Sequence, residues 1–103
     1  MAATMQQLSI AQKNDQFRQT MTDCRVVLTQ GVAQSKDRGA VIEAVRAFCK
    51  FTKDDDPYNE HDFAFLEVNG QRLFFKFDYY DASYEFFKED GNRVLTIGQA
   101  DEY

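Results

Sequence analysis

The sequence has no tryptophan, a single proline, a single histidine, two cysteines and five glycines, and no apolar run approaches the ~20 residues needed to cross a bilayer. The first seven residues, MAATMQQ, show no basic segment leading into an apolar stretch, so no secretory signal is read there and they are expected to be loose. Cys24 and Cys49 form no CxxC and stand near no second pair of ligands, which argues against a zinc site and for two small buried side chains in a reducing cytoplasm. There is no GxGxxG, no P-loop and no HExxH, so nucleotide chemistry and zinc-protease chemistry have no foothold. The absence of repeats and of Gly/Ser-rich linkers makes residues 1–103 one domain, a length that permits a core without staples.

Phenylalanine and acidic charge are plentiful: ten Phe, five Tyr and a net charge of −5. The charge is unevenly spread. Residues 1–53 carry eight Lys/Arg against four Asp/Glu, net +4, and residues 54–103 carry four against thirteen, net −9. An acidic half of this kind is a poor ligand for phosphates but suits a basic protein surface, including one built to hold nucleic acid.

Leu8, Ile10, Ala11, Phe17 and Met21 recur at helical spacing, with Ser9 as candidate N-cap, which predicts a first amphipathic helix over 8–21. Residues 24–29 carry the β-branched run of a strand that Gly31 breaks. Ser35 is the expected N-cap of a second helix with Val41, Ile42, Val45, Phe48 and Cys49 on one face. An acidic loop over 52–62 contains Pro57. Asn69-Gly70 between two alternating runs, 63–68 and 71–79, predicts a type I′ hairpin. Two further strands, at 83–87 and 93–97, follow, and an exposed acidic tail over 98–103 ends the chain. The expected architecture is α+β: two amphipathic helices on one face of a three- to five-stranded antiparallel sheet whose last strands form a meander.

A two-residue turn fixes the register, pairing Val68 with Gln71 and, five steps on, Phe63 with Lys76. Ala64, Leu66, Val68, Leu73, Phe75, Phe77 and Tyr79 then share the core face. The opposite face receives Phe63, Phe65, Glu67, Arg72, Phe74, Lys76 and Asp78. On it Phe65 and Phe74 stand side by side; either another element covers them or they form an exposed aromatic patch.

His61, between Glu60 and Asp62, has the chemistry of a general base or a metal ligand. The register brings it towards Asp78, so a site made of His61, Asp62 and Asp78 would suit a small metal-assisted enzyme, and the same contacts would equally form a structural clasp. The run Asp54, Asp55, Asp56 lacks the alternation and central glycine of a calcium loop.

Asn14-Asp15, residues 25–31 (RVVLTQG), 54–63 (including DPYNEHDF), 78–81 (DYYD) and 93–97 (RVLTI) together resemble one bacterial family catalogued as a domain of unknown function, found in alphaproteobacteria, on plasmids and in prophages. The likeness spans residues 14–103 and departs from the family at Ala64, where glycine is common. It implies a mobile-element setting and supplies no catalytic assignment.

The reading favoured by residues and resemblance together is a small acidic, cytoplasmic protein of a bacterial host cell that binds a protein partner without a cofactor. It fits an anti-defence inhibitor (anti-CRISPR or anti-restriction) docking on a CRISPR effector subunit or a restriction enzyme, with neither membrane nor direct nucleic acid as partner. The expected partner-binding residues are Asp54, Asp55, Asp56, Tyr58, Glu60, Phe65, Phe74, Asp78, Tyr80, Asp81, Glu85 and Glu89. A regulatory module without any defence role is the remaining alternative.

Overall fold

The computed structural model describes residues 8–103; the expected loose start, 1–7, lies outside them. Helix α1 (Ile10–Thr20) opens on a capping box: Gln12 N–H donates to Ser9 Oγ at 3.1 Å and Ser9 N–H to Gln12 Oε1 at 2.9 Å. It stops at Met21, which turns left-handed (φ 55°) and donates its N–H to Phe17 O. Strand β1 (Arg25–Leu28) is followed by a short helix α2 (Gln30–Ala33) where the sequence suggested only a break. Helix α3 (Arg38–Ala47) begins at Asp37 rather than Ser35, whose hydroxyl accepts from Asp37 N–H just before it.

Val41 and Val45 are the buried stripe of α3. Phe48 leaves the helix in extended conformation, which puts Cys49 in solvent and corrects its expected burial; Cys24 is only half-buried. Phe48 and Phe51 instead enter the core as an edge-on pair against Phe75.

Strands β2 (Phe63–Val68) and β3 (Gln71–Tyr80) pair with the register expected from Asn69-Gly70, Phe63 opposite Lys76 through Val68 opposite Gln71. Both turn residues have the positive φ that a type I′ turn requires, 51° and 82°. Strand β4 (Asn92–Gln99) continues the meander. The sheet order is β1-β4-β3-β2, and β1 joins β4 in parallel, so the sheet is mixed rather than wholly antiparallel.

Ala64, Leu73, Phe75, Phe77, Leu95 and Ile97 meet Val32, Val41 and Val45 in one core, with Phe17, Met21, Leu66, Val68 and Tyr79 packed around it. The helices therefore cover the face that the register selects.

Residues 83–87 are not a strand. Asp81 folds the segment into a turn by accepting from Ser83 N–H, Ser83 Oγ and Glu85 N–H, and only a single bridge, Tyr80 to Phe87, touches the sheet. Nor is 98–103 a free tail: Gly98 and Gln99 belong to β4, and Ala100–Glu102 form a 3-10 turn.

Candidate partner-binding site

The most buried side chains of α1 are polar. Asn14 is 0% exposed and Arg18 1%, one turn apart on the stripe that also carries Phe17 and Met21. Asn14 is a junction: its Nδ2 donates to Glu60 O at 2.9 Å and to the Tyr79 hydroxyl at 2.8 Å, and its Oδ1 accepts from Arg93 Nε at 2.7 Å. Arg93, itself buried, donates onward to Gly91 O and to Asp90, whose other carboxylate oxygen receives Lys13 Nζ at 2.6 Å. Arg93 also lies over the rings of Phe17 and Tyr79, about 5 Å from each centroid.

One residue further along α1, Asp15 accepts from Arg18 at 2.8 Å and from His61 Nδ1, which stands 3.0 Å from both carboxylate oxygens. Since a carboxylate only accepts, the imidazole proton sits on Nδ1. The His61 ring stacks on Phe51, centroids 4.1 Å apart and 4° from parallel. Its backbone is left-handed (φ 55°), and its N–H, with that of Glu60, is held by Asp56. Beside this loop runs an open groove of about 530 Å³ lined by Phe51, Thr52, Lys53, Asp56, Pro57 and Asn59.

Asp62 O accepts from Phe77 N–H at 2.8 Å, as the register requires. His61, however, is drawn to Asp15 on α1 and not to Asp78, which pairs with Lys76 at 3.4 Å; the nearby Tyr79 hydroxyl accepts from Asn14. The cluster expected of His61, Asp62 and Asp78 is thus a set of separate attachments. Among the described residues no three His, Cys, Asp or Glu side chains gather as metal ligands would.

The expected partner-binding residues divide. Asp56, 5% exposed, and Phe74, 2% exposed, are internal and are withdrawn from the surface set. Asp56 caps its own loop. Phe74 lies over Gly98, where a Cβ would approach the ring to 2.7 Å, and Tyr103 meets it edge-on from outside, centroids 5.1 Å apart. Phe65 is half-buried beneath the Arg72 guanidinium, 4.6 Å from its centroid. Asp81 is occupied by the turn it caps, and Tyr80 leans on Tyr84. Asp54, Tyr58, Glu85 and Glu89 are exposed, and Asp55, Glu60 and Asp78 are half-exposed.

Glu60, Asp62 and Glu89 come together from two loops, and none of them takes part in an ion pair among the described residues. Burial, then the neighbouring carboxylates Asp62, Asp56 and Glu89, raise the pKa of Glu60 above the ordinary carboxylate range. Burial, then Asp56, likewise raise that of Asp62. Burial also pushes Tyr79 up to about 12, so its hydroxyl stays protonated at physiological pH. By contrast, the hydrogen bond from Lys13, together with Arg93, holds Asp90 below the usual range.

The surface reading of the sequence missed Phe86 and Phe87, 68% and 73% exposed, between Glu85 and Glu89. The available signal was two adjacent aromatics, which cannot both face inward from a strand; reading 83–87 as a strand concealed it.

Fold and site together define a small α+β protein whose polar chemistry is spent on fixing two acidic loops against one helix. The chain belongs to the family described as a protein of unknown function, DUF3768, whose profile matches residues 28–102. Asn14 and Asp15 lie ahead of the matched span. No curated protein and no solved structure matches the chain. Among the described residues no helix is long and apolar enough to cross a membrane.

Proposed function

We propose that this chain is a non-enzymatic binding protein that docks on a basic, nucleic-acid-holding surface of a protein partner, and that the partner is a bacterial defence effector such as a CRISPR subunit or a restriction enzyme. The observation that carries the docking is the pairing of unneutralised carboxylates with bare rings. Glu60 has the carboxylates Asp62, Asp56 and Glu89 as neighbours and no ion-pair partner among the described residues, and Phe86 and Phe87 stand in solvent on the loop that holds Glu89. Lysines and arginines of a partner would relieve that repulsion, and the two phenylalanines would supply the desolvated anchor. The defence setting rests on the mobile-element context implied by the sequence resemblance.

The test is interference in cells. Expression beside an active CRISPR or restriction system should raise the plating efficiency of a targeted phage. F86A/F87A and E60K/E89K should abolish the rise at unchanged protein level. Binding of the purified chain to the responding effector should weaken steeply with salt. Unchanged plating across such systems ends the anti-defence reading, and salt-insensitive affinity ends the charge-led one.

A second reading makes the chain a small enzyme with His61 as base. What favours it is the Asp15–His61 pair, which fixes the proton on Nδ1 and leaves Nε2 without a hydrogen bond among the described residues. Replacement by His61→Gln would then abolish a turnover while leaving the thermal midpoint nearly unchanged.

A further inference from the structure

The outer face of the sheet, away from the helices, is closed at one end by residues of the same chain. Tyr103 packs its ring 5.0 Å from Phe63, 5.1 Å from Phe74 and 6.2 Å from Phe65, yet remains 69% exposed. Before it, the Glu102 carboxylate accepts from Thr29 Oγ1 at 2.6 Å, Gln99 N–H at 2.8 Å and Gly31 N–H at 2.9 Å. Gly31 makes room for it, because a Cβ there would stand 2.7 Å from the Gln99 side chain and 2.8 Å from the Glu102 carboxylate. The ring and the acid are thus held in two separate seats made by β1–α2 on one side and by β2, β3 and β4 on the other.

Two open grooves border this end of the sheet, the first walled in part by the turn itself. One, of about 320 Å³, is lined by Gln71, Arg72, Gln99, Ala100 and Asp101; the other, of about 310 Å³, by Asp55, Phe65, Leu66, Glu67 and Arg72. Arg72 borders both; it is exposed, and its guanidinium lies over the Phe65 ring, 4.6 Å from the centroid.

We propose that the Phe63, Phe65 and Phe74 cluster with the Thr29 and Gly31 donors is a peptide-binding site for an acidic residue followed by an aromatic one, and that Glu102-Tyr103 occupies it as an internal pseudo-ligand. The chemistry of the ligand is read from the occupant: a flat ring against three phenylalanines, and a carboxylate on one hydroxyl and one backbone amide, those of Thr29 and Gly31. A partner segment of the same pattern, extending past Arg72, displaces the chain's own turn. This site is distinct from the Phe86–Phe87 loop and does not depend on the docking proposal.

The probe is the peptide acetyl-Gln-Ala-Asp-Glu-Tyr-amide, titrated into isotopically labelled full-length protein while the Gly31 and Gly98 amide resonances are followed. A tethered occupant at ~1 mM effective concentration, competing for a site of ~0.1 mM affinity, weakens an added ligand about tenfold. The E102A/Y103A variant should therefore bind the peptide about tenfold more tightly than the intact chain. A peptide with alanine for tyrosine, or glutamine for glutamate, should bind at least fivefold more weakly. Y103A alone, which removes a ring that is mostly in solvent, gives the same comparison should the double variant lose its fold. Equal affinity in intact and variant proteins, equal affinity for the alanine peptide, or no saturation by a folded variant overturns the proposal. So does a concentration-dependent dimer of the intact chain that E102A/Y103A abolishes, since the seat would then exchange its turn between two copies.

Discussion

Asn14 Oδ1 accepts the Nε proton of Arg93 at 2.7 Å, joining the first helix to the last strand across 79 positions of sequence. Neither residue is exposed, and each completes the other's hydrogen bonding. Removing one partner of such a buried pair costs far more than the pair contributes on balance, since the remaining group loses water without replacement. Asn14→Ala is expected to destabilise the protein by about 3 kcal/mol, mainly through the stranded Arg93 donor and the lost bonds to the Tyr79 hydroxyl and Glu60 O. Urea unfolding followed by circular dichroism measures it. A loss below about 1 kcal/mol, within the range of ordinary surface changes and single weak bonds, would mean that water replaces the amide.

The two classes of carboxylate respond oppositely to pH. Asp90 has a depressed pKa in the folded chain, so its contribution is present above the ordinary value of 3.8 and is lost as pH falls through its lower folded value. Asp90→Asn should therefore lower the thermal midpoint at pH 7, and the difference from the parent should vanish near pH 2. Glu60 and Asp62 have raised pKa values, so their ionised forms oppose folding above the ordinary values of 4.5 and 3.8, and the penalty disappears as the groups protonate. E60Q/D62N should raise the midpoint at pH 7 and have no effect at pH 3. A midpoint gain that persists at pH 3 would show that packing, not charge, is responsible.

The side chains of Phe86 and Phe87 are mostly in solvent, the backbone there meeting the sheet through one bridge, and burial stabilises nothing where little is buried. F86A/F87A should change unfolding free energy by no more than about 0.5 kcal/mol, as surface substitutions do, while reducing partner affinity at least a hundredfold. Equilibrium unfolding and titration calorimetry on the same sample separate the two effects.

Gly98 sits under the Phe74 ring and against Thr29 Cγ2, which a Cβ would approach to 2.7 Å and 2.5 Å. Gly98→Ala should cost about 1–3 kcal/mol by overpacking. It should also shift the Tyr103 resonances, because Tyr103 rests on the displaced ring. An unchanged midpoint would show that Phe74 moves freely.

Much of this architecture could be read in the letters. The hairpin register followed from Asn69-Gly70 alone, because a two-residue turn leaves no choice of partner and the alternation then selects the core face. The N-cap Ser9 was equally local. What escaped was non-local or counter to hydropathy. The apolar pattern of α1 points Leu8, Ile10 and Phe17 inward and carries no inward signal for Asn14 or Arg18, yet those two are its most buried residues, since their partners lie far away at Arg93, Tyr79 and Val45. His61 was recognised as the polar centre of its loop, but Asp15, 46 positions earlier, was not recognisable as its partner. The strand expected at 83–87 failed because Asp81 offers three nearby donors a closer bond than a neighbouring strand would.

The parallel seam between β1 and β4 has a consequence for how the molecule comes into being. During synthesis β1 emerges more than sixty positions before Val94, Leu95, Thr96 and Ile97, its only ladder partners among the described residues. The early third of the chain must therefore wait, unzipped, until the inner strand arrives, and closing so long an intervening loop is slow relative to forming a hairpin. A chain released from the ribosome only as far as residue 80 would hold a β2–β3 ribbon beside an orphaned β1. Nascent-chain protease protection should consequently appear in one late step rather than grow with length.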